Sequence, residues 1–170
     1  MQKQKGFSLI ELLIVVAIIL IIAAIAIPNL LRSRIAANEA SAVGSLRSIN
    51  TAEVTYSSTY PLNGFAPDLM TLGPGSSAGN TTANSTNAIL LDGVLGCSTG
   101  TSSTGCVKSG YTFILSGPAP TATTPSPTYQ SNANPVTVDQ TGKRFFYSDA
   151  SGVIRYNATV SAVSTDSPLQ

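Results

Sequence analysis

Hydrophobic and polar positions divide the chain into stretches with different periods. Residues 1–6, MQKQKG, are polar and basic. Residues 7–27, FSLIELLIVVAIILIIAAIAI, hold one hydroxyl, Ser8, and one charge, Glu11; from Leu12 to Ile27 every residue is apolar. At about 1.5 Å per residue, a helix of this length crosses most of a hydrocarbon core of about 30 Å. Pro28 follows, yet the helical pattern continues. Leu31, Ile35, Ala42, Leu46, Ile49 and Tyr56 recur at steps of three, four or seven, which places them on one face. Arg32, Arg34, Glu39, Arg47 and Glu53 are expected largely off that stripe. The pattern predicts one helix over about residues 7–57, apolar all round in its first half and amphipathic in its second. It would be about 75 Å long, kinked at Pro28, and stopped ahead of Tyr60-Pro61, because a residue before proline is driven from the α region.

After Tyr60 the pattern changes. Residues 61–87 are rich in Gly, Pro, Ser, Thr and Asn and read as loop. Candidate strands are 88–95, 111–116, 135–138, 144–148, 152–156 and 159–163, from their β-branched and aromatic content. Asp149-Ala150-Ser151-Gly152 reads as a hairpin turn, and 117–130, GPAPTATTPSPTYQ, as a Pro/Thr-rich loop. The expected fold class is α+β: a long kinked N-terminal helix packed on a C-terminal antiparallel sheet.

Composition narrows the function. Charged residues make up 10% of the 170 residues, with a net charge of +1. Without the first six residues, seven basic residues face eight acidic ones, so no specific nucleic-acid partner is inferred. There is no histidine, which removes the commonest general base and metal ligand. With no nucleophile motif either, no catalytic site can be assembled, and no metal or cofactor is expected. Asp149 alone is too little for a calcium cage and reads as a turn residue. Cys97 and Cys106 lack the further ligands a zinc site needs. In an exported protein the pair reads as a disulfide, with free thiols as the alternative. Asn80, Asn84 and Asn157 begin glycosylation-acceptor triplets, a short pattern for which solvated loop is the better reading.

The informative unit is Lys3-Gln4-Lys5-Gly6-Phe7-Ser8-Leu9-Ile10-Glu11 and the apolar run after it. Basic residues ahead of the run favour a cytoplasmic N-terminus. Gly6 has no side chain, so a protease can approach the backbone there. Cleavage after Gly6 would make Phe7 a new N-terminus with a charged amine. Glu11 lies one helical turn further on. An ionisable group in a spanning segment costs a few kcal/mol or more and needs a reason. In a staggered bundle its carboxylate can pair with a neighbour's terminal amine, a strongly favoured contact in low dielectric. A head-to-tail contact that repeats without closing builds an open helical fibre.

The stretch KGFSLIELLIVVAIILIIAAIAIP resembles the class III signal and N-terminal helix of type IV pilins and their pseudopilin relatives, over roughly residues 3–35. The resemblance implies a pilin-like roll and cleavage after Gly6 by an aspartic prepilin peptidase. It further implies N-methylation of Phe7, subunit pairing through Glu11 and a helix kink at Pro28. It divides the chain into a leader (1–6), a transmembrane and assembly helix (7–28), an amphipathic helix entering the head (29–57) and a β-rich head (58–170). The implied partners are further copies of the chain, the peptidase and an inner-membrane assembly platform. The implied location is the bacterial inner membrane, N-terminus cytoplasmic, and then an extracellular filament. One departure stands out. Leu20 occupies a place where many members carry glycine, so melting of the helix between Leu20 and Pro28 on assembly is less favoured. Pilins often close a C-terminal loop with a disulfide; here the cysteines sit mid-domain, and a structural staple is the preferred reading. A major pilus subunit is the leading function. A minor pilin, a type II secretion pseudopilin and a membrane-tethered enzyme or binding domain are the alternatives. A secretory signal peptide fits poorly, since its apolar region would be shorter. A plain membrane anchor leaves Glu11 unexplained.

Overall fold

The computed structural model describes residues 7–75, 81–97, 105–121 and 123–169. Lys3, Lys5, Gly6 and Asn80 lie outside them. The chain forms two compact units, Met1–Arg34 and Ile35–Gln170.

Helix α1, Leu9–Thr59, runs for 51 residues with Pro28 inside it. In the first unit every large apolar side chain over 9–31 is between 46% and 80% exposed. Such a segment has no core of its own to enter. By length and composition it can cross a membrane.

The second unit is built on the rest of α1 and a six-stranded antiparallel meander. Its strands are β1 (Cys106–Lys108), β2 (Tyr111–Ser116), β3 (Gln130–Pro135), β4 (Phe145–Asp149), β5 (Arg155–Asn157) and β6 (Ser167–Pro168), and each pairs with the next. Alternation along β2 buries Tyr111, Phe113 and Leu115, the period expected of a sheet with one face covered. Those side chains join Ala42, Leu46, Ile49 and Tyr56 of α1, together with Ala133 and Phe146, in one hydrophobic core. Ile35 is half-buried and Leu31 exposed, so the inward stripe begins where the head begins. Ser109 and Gly110 both have positive φ, 50° and 74°, and form the two-residue link between β1 and β2 that a twisted hairpin favours.

Several sequence expectations are corrected. Residues 88–95 are not a strand. A single-turn helix α2, Leu69–Leu72, capped by Asp68, lies in the region expected to be all loop. The end of a helix leaves carbonyls without partners. The N–H groups of Ala88, Leu90 and Leu91 supply them, donating to Thr71, Leu72 and Leu72, and Ile89 donates to the following Gly73 carbonyl. Asp92 then takes the N–H groups of Val94 and Leu95 in a turn. Backbone donors used this way cannot form a ladder. Residues 159–163 are also not a strand, because Asn157 Oδ1 accepts from the N–H of Thr159 and of Val160. The third strand lies at Gln130–Pro135 rather than 135–138; beyond Pro135 the chain turns, with Thr141 N–H donating to the Thr137 carbonyl. The expected hairpin turn is present, its Gly152 N–H donating to the Asp149 carbonyl at 2.8 Å.

Glu39 and Glu53 were expected off the buried stripe and are on it, 7% and 0% exposed. Glu39 accepts from the backbone N–H of Lys143 (3.0 Å) and Arg144 (3.1 Å) and from Arg144 Nε (2.8 Å). The same guanidinium lies over the rings of Phe146 and Tyr156. One carboxylate thereby fastens the start of β4 to the helix. Further along, Asn50 donates to Ser148 Oγ and accepts from the Tyr129 hydroxyl. Cys97 and Cys106 are joined in a disulfide with a Cα separation of 5.3 Å.

Candidate functional site

The residues expected to carry the assembly chemistry belong to the first unit. Gly6 lies outside the described residues; Phe7 is 83% exposed at the start of the described chain. Ser8 precedes the first helical residue, and its backbone N–H donates to Glu11 Oε2 at 3.0 Å. The Ser8 hydroxyl makes a longer contact, 3.4 Å, with the Ile10 N–H. This is the arrangement of a capping box, in which a glutamate three residues into a helix returns to the N–H of the cap. Negative charge near a helix N-terminus is also stabilised by the helix dipole.

Glu11 therefore has a local role that its spacing announces. Ser8-Leu9-Ile10-Glu11 fits the capping-box signature directly, and that reading was available from the sequence. The cap does not exhaust the carboxylate. An ionised carboxyl offers about four acceptor sites, and among the described residues one is used. The helix thus presents a single anionic group at its N-terminal end, next to Phe7, with an apolar surface on all sides below it. Pro28 has no N–H, so the Ala24 carbonyl one turn earlier has no partner from it. The helix nevertheless runs through Pro28 without a break.

Two carboxyls in the second unit have environments of opposite effect. Burial pushes Glu39 up, but its bonds from Lys143 and from the Arg144 side chain and N–H outweigh burial and hold the carboxyl below its ordinary value. Burial also pushes Glu53 up; the Ala66 N–H offsets part of this, the Asp68 charge adds to it, and the group reaches about 8.

Residues 1–27 match the prokaryotic N-terminal methylation motif. Over 39 residues the chain is 64% identical to the type IV wide pilus major component PilA4 of Thermus thermophilus, covering 23% of this chain and 30% of that protein. It is 44% identical over 54 residues to the type IV major pilin protein PilA of Myxococcus xanthus, covering 32% and 24%. The chain thus spans less than a third of the length of these two relatives. A fimbrial protein of Pseudomonas aeruginosa is matched further, 36% identical over 121 residues, 63% of this chain and 78% of that protein. No solved structure matches at the stringency these relatives meet. With a methylation motif at its start and a fimbrial relative matched over most of that relative's length, the chain belongs to the type IV pilin family.

Proposed function

We propose that this chain is the major structural subunit of a type IV pilus. It is inserted in the inner membrane through residues 7–28 with its N-terminus cytoplasmic, cleaved after Gly6 and N-methylated on Phe7 by a prepilin peptidase. It then leaves the bilayer through an assembly platform to join a homopolymeric extracellular filament. The observation that carries this reading is the first unit itself: an apolar helix exposed on every side, whose one carboxylate sits at its N-terminal end. In the filament the apolar surface packs against other copies, and Glu11 pairs with the terminal amine of a neighbour's Phe7. The pilus and fimbrial relatives support a pilus over a secretion pseudopilus.

Processing is tested by mass spectrometry of sheared filaments. The subunit is expected to begin at Phe7 and to carry one extra methyl group. An intact Met1, or a start near Ala23, contradicts the reading. Gly6→Leu is expected to leave the uncut chain in the membrane fraction.

A further inference from the structure

We infer that the Glu53 carboxyl is a proton-dependent latch: it fastens the segment 60–67 to the head helix while protonated, and rising pH releases that segment. Glu53 is fully buried. Its Oε2 accepts the Ala66 N–H at 2.8 Å, and among the described residues its Oε1 has no hydrogen-bond partner. A buried carboxylate with one donor and one empty oxygen is a poor home for a charge, whereas the neutral acid is tolerated there.

The groups that face it come from each element packed around it. Tyr56 lies on its own helix, Asp68 caps α2, and Tyr129 lies just ahead of β3. None of the three is basic. Asp68 repels a charge on Glu53, and among the described residues no ion pair compensates ionisation. The raised pKa, about 8, agrees with this geometry.

What the latch holds is defined by a few contacts. Asn63 Nδ2 donates to the Tyr56 hydroxyl at 3.1 Å. The Phe65 N–H donates to the Ser126 carbonyl, and the Ser126 N–H to the Asn63 carbonyl. The Phe65 ring packs edge-on against Tyr129, 5.0 Å between centroids. Glu53 thus grips the far end of a segment otherwise held to Tyr56 of α1 through Asn63 and to the Pro/Thr-rich loop through Ser126. Leu62, 84% exposed, is carried on it. The inference does not depend on the filament reading.

The test is amide hydrogen exchange by mass spectrometry on the full chain in detergent micelles, from pH 5 to 9.5, with intrinsic exchange rates divided out. If opening exposes Glu53, the opening constant of 60–67 is expected to rise by up to about tenfold per pH unit between about 5 and 8, then level off. The segment should open more often than strand β2, and Glu53→Gln should abolish its slope. No slope in the wild-type segment, an opening constant no larger than that of β2, or an unchanged slope in Glu53→Gln overturns the latch. Should Glu53→Gln fail to fold, carboxyl carbon NMR of the wild-type chain decides. There are three glutamates, Glu11, Glu39 and Glu53, and one is expected to titrate near 8. Midpoints below about 6 for Glu39 and Glu53 both would overturn it, being close to the ordinary carboxyl range.

Discussion

Glu39 and Glu53 lie on one face of one helix, four turns apart, and their surroundings favour opposite charge states. Three donors converge on Glu39, so its ionised form is preferred in the folded head. One donor and an acidic neighbour face Glu53, so its neutral form is preferred. The signs follow. Glu39 contributes stability above its unfolded value of about 4.5, lost as pH falls through its lower folded value. Glu53 contributes stability that is complete below about 4.5 and is lost as pH rises towards about 8. The melting temperature of the head is therefore expected to decline from pH 5 to 8, and Glu53→Gln should flatten that decline. Glu39→Gln removes a charged acceptor and leaves Arg144 without its ion pair. It should cost about 2–3 kcal/mol in denaturant unfolding, the usual worth of hydrogen bonds to charged groups. A loss below about 0.5 kcal/mol would show that the β4 clamp contributes little. Both residues were legible by position, since 39, 42, 46, 49, 53 and 56 form an unbroken three-four repeat. Reading the stripe by polarity rather than spacing left them out.

At the scale of elements, burial of large side chains decided what the sequence showed. Residues 111–116, YTFILS, alternate cleanly, and the strand found there has the expected bounds. Residues 144–148 correspond closely to β4, Phe145–Asp149. Strand β3, QSNANP, gives no such signal, because the residues it buries are small: Ser131, Ala133 and Pro135. Its ladders with β2 and β4 on either side place it in the sheet. Residues 88–95 mislead in the opposite sense. They are mostly apolar, but the N–H groups of residues 88–91 go to the end of α2 and the Gly73 that follows it. A helix of one turn is too short to leave a periodic trace. Two substitutions test the hairpin end of the sheet. An added Cβ at Gly110 would lie 2.8 Å from Thr141 Cβ, at a positive φ that suits glycine. Gly110→Ala should therefore destabilise the head by about 1–2 kcal/mol. Replacing Cys97 and Cys106 by serine opens a loop of about ten residues and should cost roughly 2–3 kcal/mol by loop-closure entropy. Chemical unfolding without reductant measures both, and an unchanged midpoint in either variant contradicts the corresponding account.

At the scale of the whole molecule, a folded head shares one chain with a helix that has no core of its own. While that helix lies in lipid, its apolar side chains are already out of water. Moving into a filament core then exchanges one apolar environment for another, so close packing and polar contacts guide helix association there. On the proposed reading, Glu11 is the residue on which ordered assembly turns, and its two roles can be separated. Glu11→Gln keeps an oxygen for the Ser8 N–H and removes the charge; Glu11→Leu removes both. Breaking one side of a buried ion pair typically costs about 3–5 kcal/mol, whereas losing a cap costs about 0.5–2 kcal/mol. The decisive measurement is the yield of sheared filaments relative to cleaved subunit left in the membrane, for each variant expressed without a wild-type copy. Pairing with a neighbour's Phe7 amine predicts that both variants are inserted and cleaved but form few filaments, with glutamine nearly as defective as leucine. Wild-type filament yield from Glu11→Gln would contradict the pairing and leave Glu11 only its cap.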